Sequence, residues 1–202
     1  MCSVATAAVK SICSAVSSYD KQSNQPYAAD KKGSKGKIHI QMDDPKSALY
    51  TSVHLGNIYA GSMNGSFDDD VEITIESKNA NKFIGAVYAS GAEEADPGSM
   101  LDIKEPAPPE VNPKYAVSGT VTMNFDRLPL RSSPMLIDGN TGSTGGKTNL
   151  SISVSNLTSN LELKNISGLT VKKGTIQPKE SSTSNFETIT IESGAELDLS
   201  KI

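Results

Sequence analysis

GNIYAGS, residues 56–62, returns as GAVYASG at residues 85–91. Each copy places a tyrosine, Tyr59 or Tyr88, after a glycine and a branched apolar residue, with small residues behind it. In a chain of 202 residues with 5 % aromatics and no tryptophan, a tyrosine repeated in one frame marks a positional requirement. The first copy leads into DDVEITIE, residues 69–76, where Val71, Ile73 and Ile75 alternate with Glu72, Thr74 and Glu76. A period of two puts the apolar set on one side of a β-strand and the polar set on the other. A strand-and-corner frame that recurs after a few tens of residues predicts stacked coils, each burying its apolar side against its neighbours. In such a stack Tyr59 lies over Tyr88 as an aromatic ladder.

The same alternation continues along the chain. Ile38–Ile40, Ser52–Leu55, Asn57–Tyr59, Phe83–Tyr88, Val117–Phe125, Leu150–Val154, Leu161–Leu163, Leu169–Val171, Glu187–Ile191 and Glu196–Leu199 all read as strands. Serine, threonine and glycine are dense throughout, and they favour strands and turns over helices. A second echo sets Ser167-Gly168 beside Ser193-Gly194 as equivalent corners. The segment 91–114 carries Pro97, Pro106, Pro108, Pro109 and Pro113 and cannot be regular sheet. The segment 131–148 is rich in glycine and serine around Met135-Leu136-Ile137. Both are expected to be long loops on a body spanning residues 37–202. Residues 1–36 are expected to be a cap and a polar linker. In the cap, Val4, Ala8, Ile12 and Ala15 fall at helical spacing.

Composition excludes several classes. Hydrophobic residues make up 36 %, which is thin for a globular core but enough for a solenoid's narrow inner stripe. The net charge is −4 and the only arginines are Arg127 and Arg131, which argues against nucleic-acid binding. No apolar run is long enough to span a membrane. Cys2 and Cys13 lie at the start and leave the body without a disulfide framework. The first residues lack the basic region and continuous apolar centre of a signal peptide, and Val9-Lys10-Ser11-Ile12 is not a lipoprotein box before Cys13.

Gly56-Asn57-Ile58-Tyr59-Ala60-Gly61, followed by Asp69-Asp70-Val71-Glu72-Ile73-Thr74-Ile75, resembles the GNVYGGG … GDVTVNISGG repeats of large adhesin-like bacterial surface proteins. Gly85–Gly91 matches the first half of that pattern, and Ser118–Phe125 the second. The resemblance covers about residues 50–90 and 115–199. It implies an all-β, right-handed parallel β-helix with a short N-terminal helix or irregular cap and two long loops. The glycine triplet has become Ala60-Gly61-Ser62 and Ala89-Ser90-Gly91, and the proline-rich segment interrupts the period. A β-sandwich is the alternative architecture.

Local chemistry is sparse. Gly142–Thr148 ends like a phosphate-binding loop, but Thr141 stands where the first glycine belongs and the residues from Leu150 read as a strand, not a helix. Asp68-Asp69-Asp70 has carboxylates suited to calcium without the spacing of a calcium loop. His39 and His54 have no third ligand at metal spacing. No GxSxG elbow occurs. No catalytic, cofactor or metal residue is therefore assigned. The expected function is a non-catalytic structural or adhesive module, secreted or attached to the cell surface. Its expected partners are a surface glycan or protein, reached through an exposed face or the loops. Tyr59, Tyr88 and Tyr115 are its candidate ligand contacts. The alternative is a carbohydrate-active lyase or hydrolase using acids such as Asp69 or Asp126. The chain ends in GAELDLSKI without a polar cap, so residues 186–202 are expected to meet neighbouring repeats or a partner chain.

Overall fold

The computed structural model describes residues 7–16, 19–20, 25–26, 36–41, 53–63, 67–76, 82–84, 86–91, 115–128, 135–140, 145–154 and 158–202. Among these residues the structure is nearly all β, with no α-helix. One ladder of parallel neighbours contains β1 (Ala7–Val16), β5 (Val53–Met63), β7 (Lys82–Ile84), β8 (Val87–Tyr88), β10 (Met135–Asp138) and β12 (Thr158–Lys164). A second contains β4 (Gly36–Gln41), β6 (Val71–Glu76), β9 (Val121–Leu128) and β11 (Thr148–Val154). The long strand β13 (Gly168–Pro178) joins both, pairing with β11 along its first half and with β12 along its second. Beyond it, β14 (Thr188–Ile191) extends the second ladder and β15 (Ala195–Leu197) the first. Together they form one 13-stranded sheet. A separate short pair, β2 (Tyr19–Asp20) and β3 (Gln25–Pro26), is antiparallel.

In chain order the strands alternate between the two ladders, one rung at a time. That is a solenoid-like stack. A β-sandwich would need antiparallel neighbours joined by hairpins and Greek keys, and the register of this sheet is parallel throughout.

Two inward columns carry the core of the second ladder. Ile38, Ile73, Met123, Leu150, Leu169 and Ile189 are successive register partners, as are Ile75, Phe125, Ile152, Val171 and Ile191. On the first ladder Ile58, Val87, Ile137 and Leu163 stack in the same way and are completely buried. The buried pattern of β6 strictly alternates, as the period of two requires.

Three expectations need correction. The N-terminal segment contains a strand, β1, rather than a helix. Its alanines favour helix, but Val9, Ile12, Val16 and the serines gain little as helix, and β1 obtains a ladder partner in β5 along most of its length, from Ala7 opposite Val53 onward. The stacked body therefore begins before residue 37. Residues 131–148 are not one loop, because Met135–Asp138 is a rung: Ile137 fills the inward column between Val87 and Leu163. Of the expected loop at 91–114, residues 92–114 lie outside the described residues, as do 21–24 and 27–35 of the expected linker at 20–36.

The third correction concerns the corners. Gly168 pairs with Thr188, so Ser167-Gly168 and Ser193-Gly194 are not equivalent. The equivalent corners are at Gly174 and Gly194, both at φ +79°, with Gly174 opposite Ala195. Only glycine adopts that conformation without penalty. At Gly174 a side chain would also run into the Val154 carbonyl, while around Gly194 an added Cβ meets nothing within 4 Å. Gly194→Ala should cost about 1–2 kcal/mol from conformation alone. Gly174→Ala should cost at least about 1 kcal/mol more, from the added collision. Urea denaturation of the two variants measures the difference, and equal midpoints would mean that the inner corner is not sterically closed.

Candidate functional site

The outward side of the first ladder follows directly from its inward column. One residue beyond Ile58, Val87, Ile137 and Leu163 stand Tyr59, Tyr88, Asp138 and Lys164, again in register. The two tyrosine rings stack with centroids 5.1 Å apart and planes 10° from parallel. This is the aromatic ladder that the repeated GNIY and GAVY frames imply. Asn57 supports it twice: its Nδ2 donates to the Tyr59 hydroxyl (3.1 Å), and its Oδ1 accepts from Ala86 N of the next rung (3.0 Å). Ala86 and Leu136 pack against the pair. Tyr59 is 1 % exposed and Tyr88 5 %, so neither presents an open ring face. Tyr115 does not join them. It is half-buried on the way into β9, and its carbonyl accepts from Gly91 N at 2.7 Å.

Charge begins where the aromatic stack ends. Glu162 and Lys164 form an ion pair at 2.8 Å. The hydrogen bond between them holds the Glu162 carboxyl below its ordinary value and raises the Lys164 ammonium above its own. Asp138 is shifted upward, chiefly by burial, against the opposing effects of the bond from Asn165 Nδ2 (2.7 Å) and of Lys164. Burial, and then Asp138, raise the Tyr88 phenol. Asn165 reaches Asp138 from the left-handed region, φ 53°, which asparagine tolerates better than most residues. Because the folded value of Asp138 lies above the ordinary 3.8, the folded chain binds this proton more tightly than the unfolded one. The ionised carboxylate therefore lowers stability at neutral pH. Asp138→Asn should raise Tm at neutral pH, and the gain should vanish below pH 3.8. A difference that does not change with pH would remove burial as the cause.

The outward side of the second ladder is a polar array. Thr74, Asn124, Ser151, Thr170 and Thr190 form one column across five successive rungs. Beside it run Glu72, Thr122, Asn149, Gly168 and Thr188. Neighbouring rungs lie about 4.8 Å apart, so hydroxyl and amide groups recur at that interval along a straight line. Within this array Glu72 accepts from Asn124 Nδ2 (3.4 Å) and from the Thr74 hydroxyl (3.4 Å). Ser151 Oγ is buried without a hydrogen-bond partner. At the first rung Lys37 meets Glu72 at 3.5 Å and His39 meets Glu76 at 3.7 Å. Lys147 pairs with Glu187 farther along.

The other motifs resolve into structural roles. The Asp68–Asp70 turn stitches rungs together, with Asp70 Oδ1 accepting from Thr120 N at 2.8 Å. No cluster of three or more metal-capable side chains is found among the described residues. In the loop that resembled a phosphate site, Thr148 opens a strand and is buried, accepting from Asn140 N at 2.9 Å. The Asn140 side chain bonds to Val117 N and O and to Ser90, and so closes the corner across three rungs. His39 and His54 belong to different ladders. Asp69 and Asp126 flank opposite ends of the second ladder's strands, roughly 20 Å apart. Glu76 and Asp126 are register neighbours there.

The polar columns were missed from sequence. Each contributes one threonine, serine or asparagine per strand, and only the register reveals that they align. Comparison of the chain with protein-family models, with curated proteins and with solved structures returns no match.

Proposed function

We propose that the chain is a non-catalytic adhesive module of a secreted or surface-attached bacterial protein. We further propose that it is wound as a right-handed parallel β-helix and binds a surface glycan or protein through its outward faces. The observation that carries this reading is the straight column in which Thr74, Asn124, Thr170 and Thr190 stand in line, with Ser151, whose hydroxyl is buried, between Asn124 and Thr170. Donors and acceptors repeating at a fixed interval on a rigid support suit a linear, polyhydroxylated polymer. Each contact is weak, and many in register add up without the support paying an ordering entropy.

The competing reading is a carbohydrate-active enzyme. Its one favourable observation is the adjacency of the Glu76 and Asp126 carboxylates, which lie at neighbouring rungs as a retaining pair would. They stand at the end of an open sheet face, where Asp126 is exposed, and such a face does little to exclude water. The separation of Asp69 from Asp126 is too large for a shared bond.

A glycan array combined with a reducing-sugar assay separates the two. Retention on an array without release of reducing ends is expected. Asp126→Ala and Glu76→Gln should leave retention unchanged. Thr170→Lys with Thr190→Lys should abolish it, since two long cations would break the line of hydroxyls. Reducing-end release that disappears in Asp126→Ala would replace the adhesive reading with the enzymatic one.

A further inference from the structure

Gly168 interrupts the outward column that runs from Glu72 through Thr122 and Asn149 to Thr188. The backbone does not call for glycine there, because the left-handed glycines of the described residues are Gly174 and Gly194. A glycine inside a strand weakens it, and it commonly marks a place where another group comes close. Here that group is a side chain. A Cβ on Gly168 would stand 2.5 Å from Asn149 Oδ1 and 3.1 Å from Thr188 Oγ1. Asn149 is the partner of Gly168 on β11, and Thr188 its partner on β14. The Asn149 carboxamide therefore lies across the bare step, with the Thr188 hydroxyl on its far side.

Both groups are available to a ligand. Asn149 and Thr188 are exposed, and among the described residues neither side chain hydrogen-bonds within the protein. Their two oxygens lie close to one O–H···O distance from a common point. A hydroxyl oxygen just outside that point can donate to Asn149 Oδ1 and accept from the Thr188 hydroxyl. The Asn149 Nδ2 is left to donate to a second oxygen beside the first. Two hydroxyls on neighbouring carbons supply that pair. One side of the step is closed by the Lys147–Glu187 ion pair, which reaches from the β11 side to the β14 side across β13. Its charges cancel, so the wall favours neither a cation nor an anion.

We propose that Asn149 and Thr188 form a subsite for a vicinal diol of a neutral sugar, and that Gly168 is its positioning residue. The subsite rests on the glycan reading above and names the group recognised. It lies on the lateral face and asks nothing of the free edge of β14.

The test is an NMR titration of isotope-labelled full-length protein with xylotetraose, whose inner residues carry a vicinal diol and no other hydroxyl. The same oligosaccharide with those hydroxyls acetylated is the control. Xylotetraose should shift the Asn149 side-chain amide signal, and the acetylated form should not. Gly168→Ala should weaken binding by about tenfold, because the new methyl displaces the carboxamide. Its Tm should equal or exceed that of the wild type, since the methyl meets only the ends of side chains and alanine suits this backbone. Asn149→Ala and Thr188→Val should each weaken binding by about three- to tenfold. Unchanged affinity in Gly168→Ala overturns the proposal, and so does equal binding of the acetylated control. Xylotetraose that binds without moving the Asn149 signal overturns the subsite and leaves the adhesive reading standing. Xylotetraose that does not bind overturns the subsite as well, and retention on the glycan array then decides the adhesive reading by itself.

Discussion

The structure depends on vertical register: every inward side chain must find an apolar side chain of compatible size one rung above and below. Burying one isoleucine stabilises by about 1.5–3 kcal/mol. A slip of one residue in β6 would exchange Val71, Ile73 and Ile75 for Glu72, Thr74 and Glu76 and so bring carboxylates into the interior. That penalty far exceeds anything the connections can contribute. The register therefore holds along the buried columns of the second ladder, slipping only past them as it does after Ile152, and the side chains on the outer surface line up as its by-product.

The connections are correspondingly free. The bond from Thr120 to Asp70 joins neighbouring rungs 50 residues apart, that from Ala86 to Asn57 joins rungs 29 apart, and that from Thr148 to Ser167 spans 19. Closing a loop costs only about 0.6 kcal/mol more for each doubling of its length. One buried isoleucine outweighs the difference between the shortest and the longest of these steps. A proline-rich insertion can thus destroy the periodicity of the sequence while leaving the stack intact.

This explains what could be read in advance. Val71–Glu76, Val121–Phe125 and Leu150–Val154 announced themselves, because alternation is a local signal and burial on one face enforces it. The Tyr59 and Tyr88 pair was legible because both lie in short frames with matching flanks and only a modest loop between them. The segment Ala7–Val16 was not, since its alanines favour helix while its serines and β-branched residues do not, and the partner strand β5 decides their state. Met135–Asp138 was hidden by its glycine-rich surroundings, and only the gap between Val87 and Leu163 makes a strand of it. The corner pairing of Ser167-Gly168 with Ser193-Gly194 misled because a composition match ignores backbone handedness. The left-handed turns at Gly174 and Gly194 mark the real repeat. The outward polar columns needed the register itself, which no single strand contains.

A stack held together this way distributes stability unevenly. Each rung depends on its two neighbours, so an interior rung such as β11 is covered on both sides and the terminal rung on one. The outward positions are different in kind: they bear little of the fold's free energy and can vary with function at small cost. On the adhesive reading proposed above, recognition and stability occupy separate directions in the same molecule, lateral for the one and axial for the other.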